Sequence, residues 1–238
     1  AGIQNVAVGF QAGYSMAGAT DRYNTFLGHG TGLYANGASA GGNTGVGSNS
    51  LSSLTTGIYN TAIGYQSLAS QTTLSESVAV GAYAGTTTTA RVTAIGGYAL
   101  QNNSTGIDNT AVGYGAMTAN TSGLSNTAVG VTAGNAQAGA TDDNNTWVGY
   151  RAGKVANGSS LGRNTAVGSS AGVAITTGNR NTLLGEGAGD TITVGVDNVV
   201  VGSGAATNIS SGTGNIVMGT SAGTGITTAS YNVIIGSN

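Results

Sequence analysis

Apolar and polar positions recur along this chain in a block of five residues, most plainly Asn-Thr-Ala-Val-Gly at 109–113, 126–130 and 164–168. Looser copies end at Gly9, Gly28, Gly47, Gly64, Gly81, Gly96, Gly149, Gly185, Gly202, Gly219 and Gly236, which makes fourteen in all. Successive repeat glycines lie 15, 17 or 19 residues apart. A period near 17 marks a solenoid, in which each repeat is one coil that must stack on a neighbour to bury its apolar side. With the repeat glycine as position 0, position −1 is apolar in every copy, and −3 is Thr nine times and Val or Ile five times. Strand side chains alternate, so −3 and −1 share one face. The invariance of −1 assigns that face to the inside. The expected structural core is then Val8, Leu27, Val46, Ile63, Val80, Ile95, Val112, Val129, Val148, Val167, Leu184, Val201, Met218 and Ile235.

Position +3 is Ala, Ser or Thr, small enough for an inward corner. A second apolar position follows at Leu54, Ile175, Ile192, Ile209 and Ile226, and then a turn signal such as Thr-Thr-Gly at 55–57 and 176–178. Each coil reads as strand, glycine corner, short strand and glycine turn. The prediction is an all-β fold, a parallel β-solenoid or β-roll of about 14 coils of 15–19 residues, running as one body over residues 1–238. At about 4.8 Å per rung this would be a rod roughly 65 Å long. A longer period is present as well. Ala17–Asp21 recurs as Ala138–Asp142 and Ala35–Gly37 as Ala156–Gly158, each 121 residues later. Two seven-coil super-repeats are expected, approximately 1–121 and 122–238.

Position −4 is Asn in twelve coils: Asn5, Asn24, Asn43, Asn60, Asn109, Asn126, Asn145, Asn164, Asn181, Asn198, Asn215 and Asn232. Amides repeated on every rung can hydrogen-bond from coil to coil as an Asn ladder. If −1 points inward, −2 points outward, where Phe26, Trp147, Leu183, Val200, Val217 and Ile234 would form an exposed apolar strip. A column of that kind calls for a partner, so these six are the candidate interface of a homo-oligomer. The motif runs at both ends of the sequence, which is expected of a piece of a longer fibre.

Composition narrows the function. Proline and cysteine are absent, so no ladder is interrupted and no disulfide or thiolate metal site exists. Six basic and eight acidic residues are scattered, which leaves no basic face for nucleic acid. No long apolar run offers membrane insertion.

The motif resembles the head repeats of YadA-like trimeric autotransporter adhesins, best at Ser77-Val78-Ala79-Val80-Gly81 with Ala84 and closely at Asn5–Gly9 with Ala12. Its Asn-Thr-Ala-Val-Gly form is similar to repeats of phage tail fibres. The resemblance implies a left-handed, trimeric β-roll. The 17- and 19-residue coils are longer than the adhesin coil, and no neck, stalk or anchor is present in this sequence.

Candidate chemistry is sparse. Gly168–Gly172 and Gly219–Gly223 match Gly-x-Ser-x-Gly, but the repeat itself generates the match. The sole histidine is His29, eight rungs from Ser170 and out of reach as a base. Gly28–Gly32 lacks the lysine of a phosphate loop. Asp142 and Asp143, the one adjacent acidic pair, are a weak calcium candidate. No enzyme activity and no cofactor are expected. Tyrosines at +1 (Tyr65, Tyr114, Tyr150) and +2 (Tyr83, Tyr98) suit contact with a glycan or receptor and equally well lateral packing between fibres.

The resulting expectation is a structural and adhesive segment of an extracellular, cell-surface or virion fibre, trimeric and joined to flanking parts of a longer chain. The alternative is an ice-binding solenoid, which would need −3 and −1 to face outward as a flat Thr-x-Val array. Size variation at −2, from Gly45 to Trp147, argues against placing that column in a core.

Overall fold

The computed structural model describes residues 4–16, 21–35, 40–70, 72–136, 143–155 and 162–238. Its fold is an all-β parallel solenoid, in which the described residues form fourteen strands of three or four residues and contain no helix. Two compact units divide the chain. The first, Ala1–Tyr114, holds β1 (Val6–Val8), β2 (Thr25–Leu27), β3 (Thr44–Val46), β4 (Thr61–Ile63), β5 (Val78–Val80), β6 (Val92–Ile95) and β7 (Asn109–Val112). The second, Gly115–Asn238, holds β8 (Thr127–Val129), β9 (Thr146–Val148), β10 (Thr165–Val167), β11 (Thr182–Leu184), β12 (Val199–Val201), β13 (Ile216–Met218) and β14 (Val233–Ile235). The super-repeat boundary expected after residue 121 falls inside this second unit.

Within the first unit each strand pairs in parallel with the next, residue for residue, as in Ala7↔Phe26, Phe26↔Gly45 and Gly45↔Ala62. The second unit repeats the arrangement, for example Trp147↔Ala166, Ala166↔Leu183 and Leu183↔Val200. Because the register never slips, each repeat position becomes a column of identical environments.

The columns face the opposite way from the sequence expectation. From β2 to β13 every −2 residue is buried. None of Val8, Leu27, Val46, Ile63, Val80, Ile95, Val112, Val129, Val148, Val167, Leu184, Val201, Met218 and Ile235 is buried. Leu183 is 0% exposed and its neighbour Leu184 is 48% exposed, so burial here follows the pleat and not residue type. The cause lies two residues upstream. The Asn at −4 is an interior side chain, and alternation puts −2 on the same side.

A buried amide must find partners in the protein, and this one does at both ends. The Asn24 Oδ1 accepts the backbone N–H of Asn43 at 2.9 Å and the Asn43 Nδ2 at 3.1 Å, while the Asn43 Oδ1 serves Asn60 likewise. In the second unit the same contacts run from Asn126 through Asn145, Asn164, Asn181, Asn198 and Asn215 to Asn232. Many of the Nδ2 groups also donate across the coil, for example Asn43 to the Gly57 carbonyl at 2.8 Å and Asn198 to the Gly212 carbonyl at 2.8 Å. One side chain thus ties rung to rung and wall to wall. Where the chain has Ser77 and Val92 instead, Ser77 Oγ accepts the Val92 N–H, and Asn103 donates to the Gly106 carbonyl.

Part of the size variation at −2 is absorbed at +4, a corner position in the left-handed backbone region. Phe26 pairs with Gly32, where a Cβ would lie 2.5 Å from the Phe26 ring, and Trp147 covers Gly153 in the same way. In four coils a small −2 residue is matched by a large, fully buried +4 one, Gly45 with Leu51, Ala62 with Leu68, Ala94 with Leu100 and Ala111 with Met117, whereas Ala79, Ala128 and Ala166 keep Gly at +4. Those four residues accept φ of 47° to 50°. The strain of about 1–2 kcal/mol is offset by burying a Leu or Met side chain, about 1.5–3 kcal/mol. At position 0 no such exchange is open. A Cβ on Gly64 would meet the Gly81 carbonyl oxygen at 2.5 Å, and φ there is +135°. Only glycine lets the coils stack at that corner.

Candidate functional surface

With −2 and −4 inside, each unit presents a ribbon of −3 and −1 side chains to solvent. In the first unit it runs through Thr25/Leu27, Thr44/Val46, Thr61/Ile63 and Thr93/Ile95, in register from strand to strand. In the second unit the −3 column changes from Thr165 and Thr182 to Val199, Ile216 and Val233, so that end is apolar at both positions. Leu27, Leu184 and Met218 are 48%, 48% and 40% exposed. These half-wetted apolar side chains line up along a whole unit as one continuous ribbon, unlike apolar residues scattered singly over a surface.

Five of the six residues expected to form the interface are closed off from it. Phe26, Trp147, Leu183, Val200 and Val217 are fully buried inside their own coils, and Ile234 is half-buried in the last strand. Their covering comes from the coil interior, including the glycines at +4.

One edge of the ribbon is position −5. Here Arg91 sits between Asp108 at 2.6 Å and Glu76 at 3.4 Å, and Arg180 holds Asp197 with two hydrogen bonds of 2.6 and 2.9 Å. Hydrogen bonding to Arg180 holds the Asp197 carboxyl below the usual carboxylate range, and Asp108 raises the Arg91 guanidinium in turn. Both groups are solvent-exposed, so screening leaves these pairs little net stabilisation. A cavity of about 220 Å³ opens beside Glu76, Arg91, Thr93, Asp108 and Thr110. Its one cation is engaged by two carboxylates, which leaves an incoming anion no favourable seat.

The other edge is aromatic in the first unit. Tyr65, Tyr83, Tyr98 and Tyr114 come from four successive coils and each ring meets the next, with centroids 5.2, 5.1 and 5.6 Å apart. The sequence separates them into two columns, +1 and +2, and the corner brings their rings together. Burial and the neighbouring Tyr65 hydroxyl push the Tyr83 phenol above its ordinary range. Phe10 and His29 stack at 5.5 Å farther along the same unit, which gives the histidine a structural neighbour and no carboxylate.

Ser170 is a corner residue with φ of 57°, followed by another coil and not by a helix. Asp143 Oδ1 accepts the Leu124 backbone N–H at 2.7 Å, and Asp142 lies outside the described residues. Among the described residues no three His, Cys, Asp or Glu side chains gather as a metal site. Comparison with protein-family models, with curated proteins and with solved structures finds no match for this chain.

Proposed function

We propose that this chain is a structural, adhesive segment of an extracellular or virion fibre, in which copies of the chain cover one another's −3/−1 ribbons. The observation that carries the reading is the exposed in-register column of Val, Ile, Leu and Met at −1. Large apolar residues at every rung gain most from protein packing, where each contributes about 1.5–3 kcal/mol on full burial. Parallel, slip-free columns suit cyclic association with the coil axes aligned. Three copies is the number implied by the resemblance to trimeric adhesin heads and tail-fibre repeats. The ribbon is then an inner seam, and the −5 and +1/+2 edges face outward on the fibre.

A second reading has an observation of its own. Thr at −3 and Val at −1 face outward, which is the arrangement an ice-binding array requires. It ranks second because Leu27, Ile63, Leu184 and Met218 give the −1 column unequal heights, and the Thr column is broken at Val78, Val199, Ile216 and Val233. Light scattering at micromolar concentration separates the two. A trimer mass is expected. A monomer that arrests ice growth would favour the second reading, and a monomer without that effect would contradict both.

A further inference from the structure

The aromatic edge of the first unit has a construction that the seam does not explain. In each of four consecutive coils one corner position carries a ring and the other a smaller or neutral polar residue: Tyr65-Gln66, Ala82-Tyr83, Gly97-Tyr98, Tyr114-Gly115. The ring moves between +1 and +2, yet each ring stays within 5.1–5.6 Å of the next, centroid to centroid. The inner pair, Tyr83 and Tyr98, is stacked with planes 16° apart. Tyr65 and Tyr114 are turned by 83° and 73° from their inner neighbours and do not stack on them. They are also well exposed, at 44% and 59%.

We propose that this tyrosine ladder is a binding platform for an extended, neutral oligosaccharide chain lying along the solenoid axis. Three arguments select that ligand. The +1 and +2 columns of the first unit contain no Lys, Arg, Asp or Glu, so a phosphate backbone or polyanion finds no counter-charge there. The corner amides of Gln66, Tyr83 and Tyr98 already donate to the carbonyls of Ser48, Tyr65 and Ala82, so a peptide cannot add itself by main-chain pairing. What remains on offer is ring faces and edges, phenolic hydroxyls and the Gln66 amide, which donates to the Tyr65 hydroxyl at 3.3 Å. The electron-rich ring faces accept the C–H side of a pyranose, and the hydroxyls and amide match its hydroxyl groups. The ladder spans three rung steps, on the order of 14 Å, so several sugar units are engaged together.

This deepens the adhesive part of the fibre reading and rests on it only in placing the edge outside the seam. The test is isothermal titration of the whole chain with chitohexaose and cellohexaose, with a heparin hexasaccharide alongside. Saturable binding of at least one neutral hexasaccharide is expected, weakened about tenfold or more by Tyr65→Ala with Tyr114→Ala, and no binding of heparin. Replacement of the same two tyrosines by Phe keeps the rings and should retain most of the affinity, which separates ring loss from misfolding. No binding of either neutral probe, equal affinity in the Ala variant, or tighter binding of heparin would overturn the proposal. Light scattering on the same samples reports the fibre reading independently, since the oligomer mass does not depend on the sugar.

Discussion

Replacing Leu183 by Asp is expected to unfold the second unit, while replacing Leu184 by Asp leaves the coil folded and removes the association. The two residues are chemically identical and adjacent, and they differ only in the side of the strand they occupy: one is 0% exposed and the other 48%. A carboxylate at 183 would be enclosed among the −2, +4 and second-wall side chains with no cation to meet it, a cost of several kcal/mol. Domain stability is about 5–15 kcal/mol, so one such change takes up much of it. At 184 the carboxylate stays in water in the single chain. In an assembly it would lie within the seam beside its copies, and like charges there oppose packing. Thermal melting followed by circular dichroism, with light scattering on the same samples, reads both effects.

The second large effect is at Trp147, the largest fully buried side chain among the described residues. Trp147→Ala should cost about 3–5 kcal/mol, the usual loss for a buried aromatic, because Gly153 and the flanking Ala128 and Ala166 contribute almost nothing to fill the space. The fold itself supplies a remedy. Four other coils combine a small −2 residue with Leu or Met at +4 in the left-handed region. Adding Gly153→Leu to Trp147→Ala should therefore recover a substantial part of the loss, whereas Gly153→Leu alone collides with the indole and destabilises. A non-additive cycle of this sign, measured by denaturant unfolding, is the signature of one shared volume. Additive losses would show that −2 and +4 do not exchange space.

The period, the strands, the parallel in-register stack and the small +3 corner were all legible in the sequence. Each follows from spacing and composition, which survive without any knowledge of three-dimensional context. The orientation was not read correctly, although its signal was present. Invariant apolarity at −1 resembles a core column, and variation at −2 from Gly45 to Trp147 resembles a surface. That inference treats each position alone. Two pairings in the sequence contradict it: Asn at −4 shares the face of −2, and in several coils the size of −2 is complemented by +4, as in Phe26/Gly32, Trp147/Gly153, Gly45/Leu51 and Ala62/Leu68. A ladder of amides needs the interior, where water does not compete for its hydrogen bonds, and the pleat then decides the rest.

The candidate surface was legible only in part. The tyrosines stood out as exposed aromatics, but +1 and +2 are separate columns in sequence, and only the corner geometry brings Tyr65, Tyr83, Tyr98 and Tyr114 each against the next. The ion pairs Arg91–Asp108 and Arg180–Asp197 connect residues 17 apart, one full coil, at a position the motif leaves free. Their partners could have been proposed from the period once −5 was recognised as a column.

The orientation of the strands is best tested with single thiols, for which a chain without cysteine is a clean background. Leu183→Cys and Leu184→Cys would be treated under native conditions with a maleimide, and separately under mild oxidation. The thiol at 184 should be modified by the reagent in a free chain or cross-linked to another copy in an assembly, and that at 183 should stay unreactive until the chain is unfolded. A native thiol at 183 that labels readily, beside one at 184 that neither labels nor cross-links, would contradict the account.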